Sequence, residues 1–259
     1  MKYITMTMII LLFALSSCQI DSMETVTKRN ETGNSEDWSY TGSTGPNNWG
    51  NLKEGYAMCS KGKEQSPINI ESATQKPLPL GINYHSGKFK VEIKEMTIKL
   101  IPESNTNTIN LQGTNYELRQ LHFHTPSEHL LNGHQSDMEI HFVHEDRNHS
   151  IAVIGVFVDK GIQNKAFQNM VNQLKGNKDL KENSSISVNI QSLIPINSKK
   201  ITYDGSFTIP PCTEGLKWIV FEKPIQFSNQ QIEFYRKKYF YPSNRPVQPL
   251  NNRILYESW

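Results

Sequence analysis

The stretch Leu121-His122-Phe123-His124 and the run Glu139-Ile140-His141 constrain this chain more than any other feature of it. Histidines two residues apart share one face of a β-strand, because successive side chains point to opposite sides. On the first run, His122 and His124 project with Gln120, while Leu121 and Phe123 project the other way. On the second, Glu139, His141 and Val143 share a face opposite Ile140 and Phe142. A polar face inside an apolar sheet is costly unless its groups are satisfied. A metal ion would satisfy it. Three neutral imidazoles with an open fourth position form the arrangement of a catalytic zinc, not a structural one. Neutral ligands leave the double charge of the metal intact, so water bound there becomes acidic enough to supply hydroxide near neutral pH. Gln120 and Glu139 are then natural acceptors for the remaining imidazole N–H groups, fixing tautomer and ring orientation. Ordinary surface histidines on a half-exposed sheet would explain one His-x-His pair. They explain poorly a third histidine with its own flanking glutamate.

Strand-like alternation continues through the middle of the chain. Phe89-Lys90-Val91-Glu92-Ile93 and Thr97-Ile98-Lys99-Leu100 alternate, and residues 116–124, 138–144, 151–158 and 216–221 follow suit. Residues 151–158 are nearly all apolar, which predicts a central strand buried on both faces. Phe167, Met170, Val171 and Leu174 recur at helical spacing before Gly176. Ser228-Asn229-Gln230-Gln231 has capping-box spacing ahead of Ile232 and Tyr235. The expected fold is mainly β, a single α+β domain with a large twisted, mostly antiparallel central sheet and a few peripheral helices.

The first residues read as a targeting segment. Lys2 gives a positive start, and Met8-Ile9-Ile10-Leu11-Leu12-Phe13-Ala14-Leu15 is an apolar core too short to span a bilayer comfortably. Leu15-Ser16-Ser17-Cys18 resembles a bacterial lipobox, in which the cysteine is lipidated and becomes the new N-terminus. An ordinary secretory signal cleaved nearby is the alternative. Residues 19–36 are rich in Ser, Thr, Asn and Glu and have little to bury, so they read as a tether. The expected organisation is a signal peptide over 1–17, a tether with lipidated Cys18 over 18–36, and one folded domain over 37–259. The protein is then exported and lipid-anchored to a bacterial membrane, periplasmic or at the cell surface. With Cys18 assigned to the anchor, Cys59 and Cys212 remain as an even pair in an exported chain, and a disulfide is the default. Two buried free thiols are the alternative. The net charge is +2, with no concentrated basic stripe, so nucleic-acid binding has no support.

Further runs join the histidines in a resemblance. Gln65-Ser66-Pro67-Ile68-Asn69-Ile70 stands near the start, and Ser127-Glu128-His129 follows the first histidine pair. Gly205-Ser206-Phe207-Thr208-Ile209-Pro210-Pro211-Cys212-Thr213-Glu214 precedes Trp218-Ile219-Val220, and Arg245-Pro246-Val247-Gln248-Pro249-Leu250 completes the set. Together, and in this order, they resemble the α-class carbonic anhydrases over essentially all of 37–259. That family is itself the standard example of a three-histidine zinc site. The resemblance implies a conical cleft leading down to Zn2+ on His122, His124 and His141. Thr208 matches the threonine that accepts a hydrogen bond from zinc-bound hydroxide and donates one to a glutamate, here Glu128. Val143, Val153, Phe207 and Trp218 match the apolar wall where carbon dioxide sits, a sensible holding site for a molecule without a net dipole. Ile209 faces the same substrate pocket, where many members carry threonine or another polar residue. Tyr40 matches a cleft tyrosine that orders water. Cys59 and Cys212 match the disulfide of exported members, and Ser66-Pro67 and Pro210-Pro211 match positions of cis prolines. His129 and His144 match structural histidines, not ligands.

The sharpest departure is Met96. Fast members carry a proton-shuttle histidine in a strand segment aligned with Ile93-Lys94-Glu95-Met96-Thr97-Ile98, and a thioether cannot titrate as imidazole does near working pH. Lys94 and Glu95 are neighbours, but a side-chain period of two would turn Glu95 away from the face of Met96. The expected activity is reversible hydration of carbon dioxide to bicarbonate and a proton, without the usual shuttle. A binding protein on the same scaffold is the rival, and members of that kind generally lack a zinc histidine. A zinc esterase is a second rival. The oligomeric state, monomer or homodimer, is left open by the sequence.

Overall fold

Period-two alternation builds a sheet wherever one face can be buried, and here it does so along most of the chain. A computed structural model of the chain describes residues 37–176, 184–239 and 241–259. The signal peptide, the tether and Cys18 expected above lie outside the described residues. The strands are β1 (Asn69–Ile70), β2 (Thr74–Gln75), β3 (Leu80–Asn83), β4 (Ser86–Lys94), β5 (Thr97–Pro102), β6 (Thr108–Leu111) and β7 (Thr114–His124). They continue with β8 (Leu130–Leu131), β9 (Met138–Glu145), β10 (Ile151–Lys160), β11 (Ser185–Asn189), β12 (Lys200–Ser206), β13 (Glu214–Phe227) and β14 (Tyr256–Ser258). The helices are α1 (Trp49–Leu52), α2 (Met58–Lys61), α3 (Lys165–Gly176) and α4 (Asn229–Lys238).

One sheet runs in the order β11-β4-β5-β7-β9-β10-β13-β12-β14-β2, with β6 also pairing β7 and β3 pairing β6. Most neighbours are antiparallel, as expected, but β10–β13 and β14–β2 are parallel, so the sheet is mixed. The apolar run 151–158 forms the body of β10, flanked by β9 and β13 and buried on both faces. Its even-numbered side chains Ala152, Ile154, Val156 and Val158 join the larger core, which takes in Phe167, Met170, Val171 and Leu174 of α3 and Ile232 and Tyr235 of α4. Val153 and Phe157 face the other way, into a second cluster with Val143, Tyr203, Trp218 and Val220. The same division holds on the histidine strands. Leu121, Phe123, Ile140 and Phe142 belong to the larger core, while Val143 belongs to the second. Helices α3 and α4 therefore cover one face of the sheet, and the histidines stand on the other.

Two local expectations hold in detail. Ser228 caps α4 by accepting from the Gln231 backbone N–H, and the Gln231 side chain accepts from the Ser228 N–H in return. In the last turn of α4, Arg236 reaches Asp137 and the Thr125 hydroxyl. The peptide bonds before Pro67, Pro126, Pro211 and Pro242 are cis.

Cys59 of α2 and Cys212 form a disulfide across a sequence separation of 153. Cys59 and Cys212 pack in a third cluster with Trp38, Tyr40 and Trp49. Closing a loop of this length stabilises by roughly 2–5 kcal/mol, largely by restricting the unfolded chain. Cys59→Ser is expected to lower unfolding stability by that amount and to leave metal content unchanged, as read by denaturant titration and metal analysis. Labelling of both cysteines by a thiol reagent in the native, unreduced protein would refute the bridge.

Candidate active site and metal centre

β7 and β9 pair in a register that places His122 opposite His141 and His124 opposite Glu139. Directly opposed residues in antiparallel strands project to the same side, so the three histidines converge. Their ring centroids lie 4.6–5.1 Å apart. One nitrogen from each lies within 4.8 Å of the other two.

Each ring is oriented by a bond from its other nitrogen. His122 Nδ1 donates to Gln120 Oε1 at 2.8 Å, and His141 Nε2 to Glu139 Oε1 at 2.9 Å. His124 Nδ1 donates to the backbone carbonyl of Ser243 at 2.6 Å. Those acceptors leave His122 Nε2, His124 Nε2 and His141 Nδ1 as lone-pair nitrogens. Burial pushes the His122 pKa well below its ordinary value, with further lowering from the charges of His124, His141 and Lys99. Burial also pushes His124 down to about 4 and lowers His141. Neutral imidazoles at pH 7 are the form a metal requires.

Whether these residues fit a metal ion is decided by what they leave unsatisfied. His124 Nε2 and Glu128 Oε2 are both buried without a hydrogen-bond partner, and they lie 3.5 Å apart. Unpaired buried polar atoms are rare and costly. A cation held by the three imidazoles would give His124 Nε2 its missing partner, the Thr208 hydroxyl is the group beside Glu128 that can donate to it, and a donor set of three neutral nitrogens is the one zinc favours in reactive sites. A second trio, His129, Glu139 and His141, also brings ligand atoms together. Its atoms are already spent on one another. Glu139 Oε1 accepts from His129 Nδ1 at 2.7 Å, and Glu139 Oε2 accepts the backbone N–H groups of Glu128 and His129. His129 Nε2 meets the Tyr203 hydroxyl at 2.6 Å, and that hydroxyl meets Ser66 Oγ at 2.9 Å. Burial alone would raise the Glu139 pKa, but His129 and His141 outweigh it and hold the carboxylate well below its usual range. Space is tight here too: a Cβ at Gly155 would stand 3.0 Å from Glu139 Oε1 and 3.4 Å from Val220 Cγ2, so a larger residue would crowd the carboxylate.

Glu128 is anchored from far along the chain. Its Oε1 accepts the backbone N–H of Arg245 at 2.8 Å. Burial raises its pKa to about 7, against the pull of His141, the Arg245 N–H and the Thr208 hydroxyl. The Arg245 guanidinium is itself buried and donates to Gln65 Oε1 and to the carbonyls of Ser66 and Cys59.

The histidines open onto a cleft of about 310 Å³. Gln120, His122, His141 and Thr208 line its polar side, with Glu95 and Lys99. Val143, Val153, Phe207, Ile209 and Trp218 line the other, with Pro210 and Pro211. His124, Glu128 and Glu139 are buried and are not lining residues. Tyr40 and Met96 are not lining residues either. Tyr40 is buried edge-on to Trp38 and Trp49, and Met96 packs on the same cluster beside Ile209.

Met96 also departs from its expected strand. β4 and β5 form a hairpin with Lys94 opposite Thr97, and the two residues between them, Glu95 and Met96, have φ of 50° and 58°. Two consecutive positive φ values are the pattern of the tight turn that matches strand twist. The period of two therefore breaks here, and Glu95 reaches the cleft after all. The other histidines lie elsewhere. His144 bonds the Tyr84 hydroxyl and the Ala152 carbonyl in the core, and burial pushes it down to about 4. His85, His134 and His149 are exposed.

Sequence reasoning missed Ser243, Arg245, Tyr203 and Lys99. Of these, Lys99 carried a usable signal, because it alternates onto one face of a strand that pairs β7. Ser243 acts through its backbone carbonyl, which any residue supplies.

Comparison with known proteins agrees with this geometry. Residues 44–259 match the family model of eukaryotic-type carbonic anhydrase. A carbonic anhydrase of Neisseria gonorrhoeae is 37% identical over 229 residues, 87% of this chain and 89% of that one. Among solved structures, the α-carbonic anhydrase of Thermovibrio ammonificans in complex with the inhibitor sulfanilamide aligns with a TM-score of 0.77 at 38% identity, covering 85% of this chain and 98% of that one. Dioscorin complexed with ascorbate aligns with a TM-score of 0.80 at 30% identity, covering 86% and 98%. The chain belongs to the α-carbonic anhydrase family.

Proposed function

We propose that this protein hydrates carbon dioxide reversibly to bicarbonate with zinc on His122, His124 and His141, and without a histidine shuttle. The observation that carries the reading is the buried, unpartnered His124 Nε2 among three imidazoles whose other nitrogens are all bonded. Bound zinc supplies a Lewis acid that makes water a nucleophile near neutral pH. The protein supplies the rest. Gln120, Ser243 and Glu139 hold each imidazole in the tautomer that offers a lone pair inward. Glu128, fixed by the Arg245 N–H, is the acceptor toward which the Thr208 hydroxyl directs its proton. Thr208 then presents an oxygen lone pair to the nucleophile's proton, which aims the nucleophile's own lone pair at carbon. Val143, Val153, Phe207, Ile209 and Trp218 give an uncharged substrate an apolar wall and exclude competing water. Stopped-flow hydration with and without a chelator tests the reading. Zinc-dependent turnover is expected, and a zinc-loaded protein that hydrolyses esters but leaves carbon dioxide alone would overturn it.

Export and anchoring belong to the same proposal. The Cys59–Cys212 disulfide supports an oxidising compartment, and Leu15-Ser16-Ser17-Cys18 supports lipidation. A single acyl chain binds membranes only marginally, so stable anchoring needs the several chains of a bacterial lipoprotein. Cys18→Ala is expected to move the protein from the membrane fraction to the soluble one or to block its processing. Unchanged fractionation and unchanged mass on both counts would exclude the anchor.

A further inference from the structure

Apart from the histidines, Glu95 and Lys99 are the charged groups among the described residues lining the cleft, and they are ion-paired with each other. Lys99 stands opposite His122 across β5 and β7, so both side chains project into the cleft from the same face. The Lys99 side chain is 14% exposed, the Glu95 side chain 30%. An ammonium this enclosed, facing an apolar wall, is costly without an anionic partner. Glu95 is that partner from within the chain, and it reaches the cleft from a surface turn, where it can give way to another anion.

The reaction creates such an anion at this place. Carbon dioxide enters uncharged, and bicarbonate leaves with one negative charge. An ammonium is a compact point charge with three rotatable donors, which suits a small oxyanion that has no fixed bidentate pose. We propose that Lys99 is an anion-recognition residue of the cleft, binding bicarbonate and other small monovalent anions by displacing the Glu95 carboxylate. The proposal rests on the catalytic reading above only for the identity of the natural anion.

Opposite signs in two variants make the test specific. Lys99→Gln removes the recognising charge and is expected to weaken anion binding about tenfold, the scale of one charge-assisted hydrogen bond. Glu95→Gln removes the competitor and is expected to tighten binding several-fold. Lys99→Arg keeps the charge and is expected to retain most of the affinity. A merely structural pair would move both neutralised variants in the same direction. The experiment is calorimetric titration of zinc-loaded enzyme of verified metal content, with sodium bicarbonate in one arm and sodium thiocyanate in the other. Unchanged dissociation constants in Lys99→Gln, or weaker binding in Glu95→Gln, would overturn the proposal. Absence of hydration by the zinc-loaded wild type would overturn the catalytic reading instead, while the thiocyanate arm still decides the role of Lys99.

Discussion

His124→Ala is expected to yield a folded protein that holds no zinc at neutral pH and hydrates carbon dioxide no faster than buffer. His124 is buried and, unlike His122 and His141, does not line the cleft, and its Nε2 has no other partner. Its ring is fixed by a single 2.6 Å bond to the Ser243 carbonyl. Removing an outer partner of a metal ligand typically costs about 10- to 100-fold in affinity, so removing the ligand itself costs more. Alanine also leaves Glu128 Oε2 facing a void where the imidazole stood. Metal analysis after dialysis, with stopped-flow hydration on the same sample, checks both consequences. Full activity in a verified metal-free preparation of either protein would refute the metal requirement itself.

The second large effect is expected at Met96. Each turnover releases one proton, and that proton must leave the cleft before the next. The two histidines lining the cleft, His122 and His141, have their outer nitrogens bonded and their inner ones turned toward the metal site. Glu95 is engaged with Lys99. Among the described residues lining the cleft no free base then remains, and on the proposed reading proton removal falls to water and buffer. Positioned acid–base help of this kind is worth about 10² to 10⁴ in rate, less where buffer substitutes. Met96 itself packs on the Trp38–Tyr40–Trp49 cluster outside the cleft lining, so Met96→His should raise kcat about tenfold in weak buffer where its imidazole turns from that cluster into the cleft, and should leave kcat/KM, which reports the carbon dioxide step, nearly unchanged. The turn tolerates the substitution, since histidine is among the residues that accept positive φ, and Met96 has φ of 58°. In the wild type, kcat should climb with imidazole-type buffer. A wild-type kcat that is high and indifferent to buffer concentration would show another group carrying the proton.

Local pattern was enough to read the strands of the site and the face each histidine occupies. Side-chain alternation is a property of consecutive residues, so His122, His124 and Gln120 declare a common face without reference to the rest of the fold. The same holds for Glu139 beside His141, for the apolar run of β10, and for the capping box of α4. The convergence of the histidines could be expected because three donors with adjacent acceptors have few other uses. The parallel pairing of β10 with β13 had no such signature, because buried strands look alike whichever way their neighbours run.

What holds the site from outside the two strands follows from folding alone. The Ser243 carbonyl and the Arg245 N–H reach His124 and Glu128 across sequence separations of 119 and 117 residues. Backbone groups are common to nearly all residue types, so no side chain announces them. Glu95 was misread for a related reason. Alternation predicts its direction only while the strand continues, and the two positive φ values of the hairpin turn it into the cleft beside Lys99. Which residues could bind a metal was legible in the order of residues, since that depends on donor type and local spacing. Which tautomer each ring holds, and what charge faces the product, depends on groups brought together by folding.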